Sequence, residues 1–103
     1  LKQLIAREPT AFLYFALGTL YAEQGSWPSA QQNYYQAYQM QVDNPDYAFN
    51  LAVGLDHIGQ PKAALQYYRK ALDLDPTFTM AADELKRYST SGQMMIPMGP
   101  RNS

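Results

Sequence analysis

The chain's one imidazole, His57, stands beside Asp56. A His held by a carboxylate can act as a general base, provided a hydroxyl nucleophile lies within hydrogen-bond reach. Nothing in the sequence marks such a Ser or Thr, and a lone His on an amphipathic helix reads as a surface or groove residue. A zinc site needs several ligands at suitable spacing, which one His and no Cys do not supply. The missing Cys also excludes a disulfide framework, and no Gly-rich phosphate loop is present. The chain is therefore not read as an enzyme, and no catalytic residue, metal ligand or cofactor is expected.

Aromatic chemistry is the remaining possibility. Nine Tyr and four Phe stand among 103 residues, and tyrosine rings can stack on nucleic-acid bases. That mode also needs a clustered positive surface. A net charge of −1 and a pI near 5.6 do not suggest one, so nucleic acid is not an expected partner. The longest apolar run falls far short of the ~20 residues that cross a bilayer, and membrane insertion is not expected.

The elements that must position these side chains emerge from Pro45 to Pro76. Tyr47, Leu51, Ala52, Leu55 and Ile58 form an apolar stripe at helical spacing. Gly59-Gln60-Pro61 interrupts it, with Gly suited to a left-handed helix end and Pro to a first helical turn. Ala64, Leu65, Tyr68, Ala71, Leu72 and Leu74 then resume the period up to Asp75-Pro76. The same unit lies earlier in the chain, at one fixed offset. Leu17 falls on Leu51, Gly18 on Ala52, Gly25 on Gly59, Ala30 on Ala64, Tyr34 on Tyr68 and Ala37 on Ala71. Tyr34, Tyr35, Tyr38, Tyr67 and Tyr68 are thereby assigned to packing, and Trp27 to a wedge between helices.

A two-helix unit with a period of about 34 residues resembles the tetratricopeptide repeat family. The resemblance covers Ala11 to Asp75. It implies an all-α fold, a helical solenoid in which antiparallel helix pairs stack into a right-handed superhelix. On that grid, residues 1–9 end a helix of a preceding repeat, or form a short capping helix, breaking at Glu8-Pro9. Repeat one occupies 11–44, with Thr10 as N-cap, and repeat two occupies 45–78. A closing helix follows over 79–90, with a tail over 91–103. Val42 stands where the family normally has Pro, and Asn44-Pro45 supplies an equivalent stop and start. Gly18 implies a close crossing by the partner helix.

In this family the first helix of each repeat lines an inner groove. The matching places hold Phe12, Phe15, Ala16, Thr19, Ala22 and Glu23 in repeat one. Repeat two supplies Asp46, Phe49, Asn50, Val53, Asp56 and His57, and the closing helix Met80, Asp83, Glu84 and Arg87. Leu17, Leu20, Leu51 and Leu55 are expected to fill the core. Phe15, Phe49 and Val53 then either form an apolar groove rimmed by carboxylates or are covered by neighbouring helices. Asn50 matches one position of the clamp with which some relatives hold a C-terminal carboxylate. Phe15, Thr19, Met80 and Glu84 replace its other members, so that mode is not expected.

The function implied is a protein-interaction scaffold for a protein or peptide with apolar and some basic residues. The alternative is a structural module that self-associates through the tail or the N-terminal end. The segment NPDYAFNLAVGLDHIGQPKAALQYYRKAL also resembles repeats of bacterial envelope, pilus and secretion assembly proteins. The compartment stays open: cytoplasmic, or periplasmic if the chain derives from a bacterial envelope protein. Met94-Met95-Ile96-Pro97-Met98 reads as a non-helical tail, either docked beside Phe15 and Phe49 or disordered.

Overall fold

In the computed structural model, which describes the backbone of residues 2–95 and the side chains of residues 10–88, five α-helices follow one another. They are α1 (Lys2–Glu23), α2 (Trp27–Met40), α3 (Pro45–His57), α4 (Pro61–Leu74) and α5 (Thr79–Met95), with no strand among the described residues. Each helix packs on its successor in the chain. The fold is an all-α helical repeat.

Two turns at equivalent places of the two repeats carry the same hydrogen bonds. Ser26 N donates to Tyr21 O at 2.8 Å, and Gln60 N to Leu55 O at 2.9 Å. Between them stand Gly25 and Gly59 at φ +80° and +82°, the left-handed helix end in which a Cβ is strained. Pro then falls in the first turn of α2, α3 and α4, where its missing N–H costs nothing. Asn44 caps α3 by accepting from Tyr47 N at 3.2 Å. That cap separates the repeats without a proline at Val42.

Two expectations at the ends are corrected. α1 does not break at Glu8-Pro9 but runs from Lys2 to Glu23, so Thr10 lies inside a helix instead of capping one. Pro9 withholds a single N–H and crowds one carbonyl, a local cost that the turns on either side outweigh. At the other end α5 continues past Thr90 to Met95, because the first strong breaker in the sequence is Pro97. Residues 96–103, and with them the docked or disordered tail, lie outside the described residues.

The core is built from alanines at helix crossings and rings between them. Ala30, Ala37, Ala48, Ala52, Ala64, Ala71 and Ala81 are all fully buried, and Tyr34 and Tyr68 nearly so. At Gly18 an added Cβ would lie 2.6 Å from the Tyr34 ring, which is the close crossing the glycine implied. Tyr38 and Tyr67 meet edge-to-face at 5.3 Å, joining α2 to α4. Tyr35, expected in the core, is instead exposed. The larger correction concerns α1. Leu51 and Leu55 are buried, but Leu17 and Leu20 are 43% and 49% exposed. α2 covers the outer side of α3, and no described residue does the same for α1.

Candidate functional site: the inner helical face

α1, α3 and α5 form one face of the molecule, linked through side chains that bridge them. Phe15 of α1 stacks on Tyr47 of α3 at 5.1 Å. Arg87 of α5 reaches Asp56 of α3 at 3.5 Å. Because the three helices share the register of the repeat, equivalent positions form rows across the face. The most exposed row is Phe12, Asp46 and Met80, in which Phe12 is 57% and Met80 60% exposed.

The expected groove residues divide sharply. Ala16, Glu23 and Asp83 are exposed along with the row just named, whereas Ala22 and Val53 are half-buried. Phe15 is half-buried too, held between Phe12 at 6.3 Å, Tyr34 at 5.7 Å and Tyr47. Thr19 is committed to a hydrogen bond with the Tyr34 hydroxyl at 3.1 Å. Asn50 turns back on its own helix, its side-chain amide donating to Asp46 O at 2.8 Å.

Phe49 is a correction, being only 7% exposed. Its ring packs against Tyr68 at 5.5 Å and Phe78 at 5.0 Å, because the link before α5 folds Phe78 over it. His57 is exposed, at the turn end of α3. There its ring lies flat on Trp27 at 3.7 Å and 4°. Trp27 is the expected wedge, and its partner is the first helix of the following repeat.

The carboxylates are less available than their number suggests. Arg87 donates to Glu84 through Nε at 3.0 Å, and Nη2 also contacts that carboxylate. It bridges to Asp56, which accepts from the Tyr68 hydroxyl at 3.5 Å. The Glu84 carboxylate holds the Arg87 guanidinium above its ordinary pKa. Burial, then the Glu84 and Asp56 carboxylates, push the Tyr68 hydroxyl up. Tyr88 is pushed up to about 12, by burial first and then by Asp56. Its hydroxyl is shielded from solvent, close to the Asp56 carboxylate. Glu23, Asp46 and Asp83 therefore remain as the open acids of this face.

No group of three or more His, Cys, Asp or Glu side chains among the described residues is arranged to hold a metal ion. No described helix is long and apolar enough to cross a membrane. Sequence reasoning missed Leu13, which is 60% exposed, and the exposure of its neighbours Leu17 and Leu20. The available signal was their helical spacing, four and three residues apart along α1.

A family model described as tetratricopeptide repeat matches residues 45–78. Among curated proteins, the chain is 33% identical over 93 residues to photosystem I assembly protein Ycf3 of Cyanophora paradoxa, covering 86% of this chain and 54% of the relative. It is 35% identical over 82 residues to the protein of that name from Chaetosphaeridium globosum, covering 77% and 48%. The Cuscuta gronovii counterpart is 32% identical over 81 residues, covering 76% and 48%. The chain thus spans about half the length of these relatives. Their names concern assembly and give no support to an envelope, pilus or secretion setting.

Proposed function

As a chain that belongs to the tetratricopeptide repeat family, this protein, we propose, is a protein-binding scaffold with no chemistry of its own, acting in the assembly of a multi-subunit complex. The observation that carries the reading is the row Phe12–Asp46–Met80. It displays two large apolar side chains flanking an open acid, at one register place on three successive inner helices. Exposed apolar side chains grouped on one face mark interaction sites. A partner segment with apolar residues and some positive charge suits this row, helped by Asp83. Photosystem I assembly is the work named for the relatives, and photosystem I subunits or their precursors are the first candidates. We assign the repeats to 11–44 and 45–78, with α5, which runs to Met95, as the closing helix.

The test captures partners from a photosynthetic cell extract on immobilised wild-type chain and on Phe12→Ala/Met80→Ala. Both positions are exposed, so helical content should be unchanged. Loss of the captured photosystem I subunits in the variant supports the reading, and capture that is identical in both overturns it.

A second reading, self-association, is favoured by one observation: the exposed stripe Leu13, Leu17 and Leu20 on α1. Light scattering across a concentration series tests it. An oligomer that Leu17→Glu dissociates supports self-association through α1, and a monomer throughout rules it out.

A further inference from the structure

Among residues 10–88, whose side chains are described, the cations are confined to two helices. From Ala11 to Gln60 there is no Lys or Arg, whereas Lys62, Arg69, Lys70, Lys86 and Arg87 all lie on α4 and α5. Arg87 is engaged on the inner face with Glu84 and Asp56. Among the described residues, Arg69 and Lys86 form no ion pair, and both are exposed.

These two cations border a groove of about 460 Å³ between α4 and α5, lined by Leu65, Arg69, Leu85, Lys86 and Tyr88. A smaller stretch of about 220 Å³ continues along α4 past Lys70 to Asp73. Leu65, Leu85 and Tyr88 are half-buried and form its apolar floor.

The repeat explains why the groove exists. Where α3 crosses α2, Gly54 lets the backbones approach so closely that an added Cβ would lie 3.1 Å from Gln31 Cα. One repeat further along the chain, the places of Gly54 and Gln31 are held by Tyr88 and Leu65. Tyr88 stands where the preceding seam has a glycine, so the α4–α5 seam lacks the small residue that brings α2 and α3 together. The repeat also shows what shape fits a seam of this kind. Over the preceding seam, between α2 and α3, lies a helix: α4 packs on α3 and sets Tyr67 against Tyr38 of α2.

We propose that the α4–α5 seam is a second docking groove, distinct from the inner face. Its occupant is an amphipathic helix of a partner protein carrying Leu-type residues flanked by Asp or Glu. The apolar side chains lie on Leu65, Leu85 and Tyr88, and the carboxylates meet Arg69 and Lys86. This is helix-in-groove recognition, with charge selecting the partner. The acids open on the inner face and the cations of the seam give the two surfaces opposite preferences.

The test uses the full chain and two labelled synthetic peptides, read by fluorescence anisotropy. One is a helix-forming peptide with Leu at i, i+4 and i+7 and Glu between them, and its counterpart has Lys in place of Glu. We expect the Glu peptide to bind and the Lys peptide not to bind this seam. Arg69→Glu/Lys86→Glu should weaken the Glu peptide roughly tenfold or more. Phe12→Ala/Met80→Ala should leave it unchanged, which separates this groove from the inner face. Circular dichroism checks the fold, and Arg69→Gln/Lys86→Gln, which adds no new charge, should give a smaller loss in the same direction. Absence of Glu-peptide binding, or binding indifferent to both double variants of Arg69 and Lys86, overturns the proposal. So does binding that appears only after residues 96–103 are removed, which would give the groove to this chain's own end. Self-association abolished by the charge reversal overturns it too, by giving the groove to a second copy.

Discussion

Leu17 and Leu51 occupy the same place in the two repeats, yet their surroundings differ sharply. Leu17 is 43% exposed and Leu51 not at all. Leu13 and Tyr47 repeat the contrast, at 60% against 8%. Chemistry does not separate these residues; neighbours do. In repeat two α3 packs on both α2 and α4, and α5 packs on α4. In repeat one α1 packs on α2 alone along most of its length. A helical repeat buries its apolar face by stacking, and the part of α1 that no described residue covers stays outside.

That contrast can be broken by mutation, and the largest effect is expected at Phe49. Phe49→Ala should cost about 3–5 kcal/mol by removing a buried ring, whereas Phe12→Ala should change stability by under about 0.5 kcal/mol. Chemical denaturation followed by circular dichroism measures both. Equal midpoints would show that repeat two is no better packed than repeat one.

Leu51→Ala against Leu17→Ala sharpens the same comparison with identical chemistry. Leu51→Ala should cost about 2–5 kcal/mol, and Leu17→Ala about 1 kcal/mol or less. A large loss at Leu17 that grows with protein concentration would show that another molecule covers α1.

Close crossings come next. Gly54→Ala places a Cβ 3.1 Å from the Gln31 backbone, and Gly18→Ala places one 2.6 Å from the Tyr34 ring. Alanine gains about 1 kcal/mol of helix propensity over glycine, against about 1–3 kcal/mol for overpacking. Both variants should therefore be net destabilised, with a lower thermal midpoint. A raised midpoint would mean that the neighbour yields freely.

The smallest effect is expected from pH. In Tyr88 the folded pKa is raised from the ordinary 10.0 to about 12. The folded state thus favours the protonated phenol. Its contribution is complete below pH 10 and is lost as pH rises from there through about 12. Thermal midpoints should fall across that window, and Tyr88→Phe should flatten the fall. A Tyr88→Phe profile matching wild type would assign the effect to the other raised tyrosines, such as Tyr68 and Tyr34.

Much of this molecule is local and could be read from residues alone. Gly25 and Gly59 end helices because only glycine enters the left-handed turn without strain. Asn44 starts one because its side chain accepts a backbone N–H. The repeat period then placed Tyr34 on Tyr68 and the alanines at the crossings, since equivalent places in stacked units meet equivalent surroundings. The period also carried the rows of the inner face, including Phe12, Asp46 and Met80.

What it could not carry was coverage, which depends on elements distant in the chain. Leu17 and Leu20 look like core by type, yet nothing described lies over them. Phe49 looks like a groove residue by place, yet Phe78 from the following link lies on it. The fate of the charges is equally tertiary. Asp56 and Arg87 stand far apart in the chain, and their meeting at 3.5 Å removes one acid and one cation from the available surface. Burial is a property of pairs of elements, so a one-dimensional period gives a residue its place and only the packed helices decide whether that place is open.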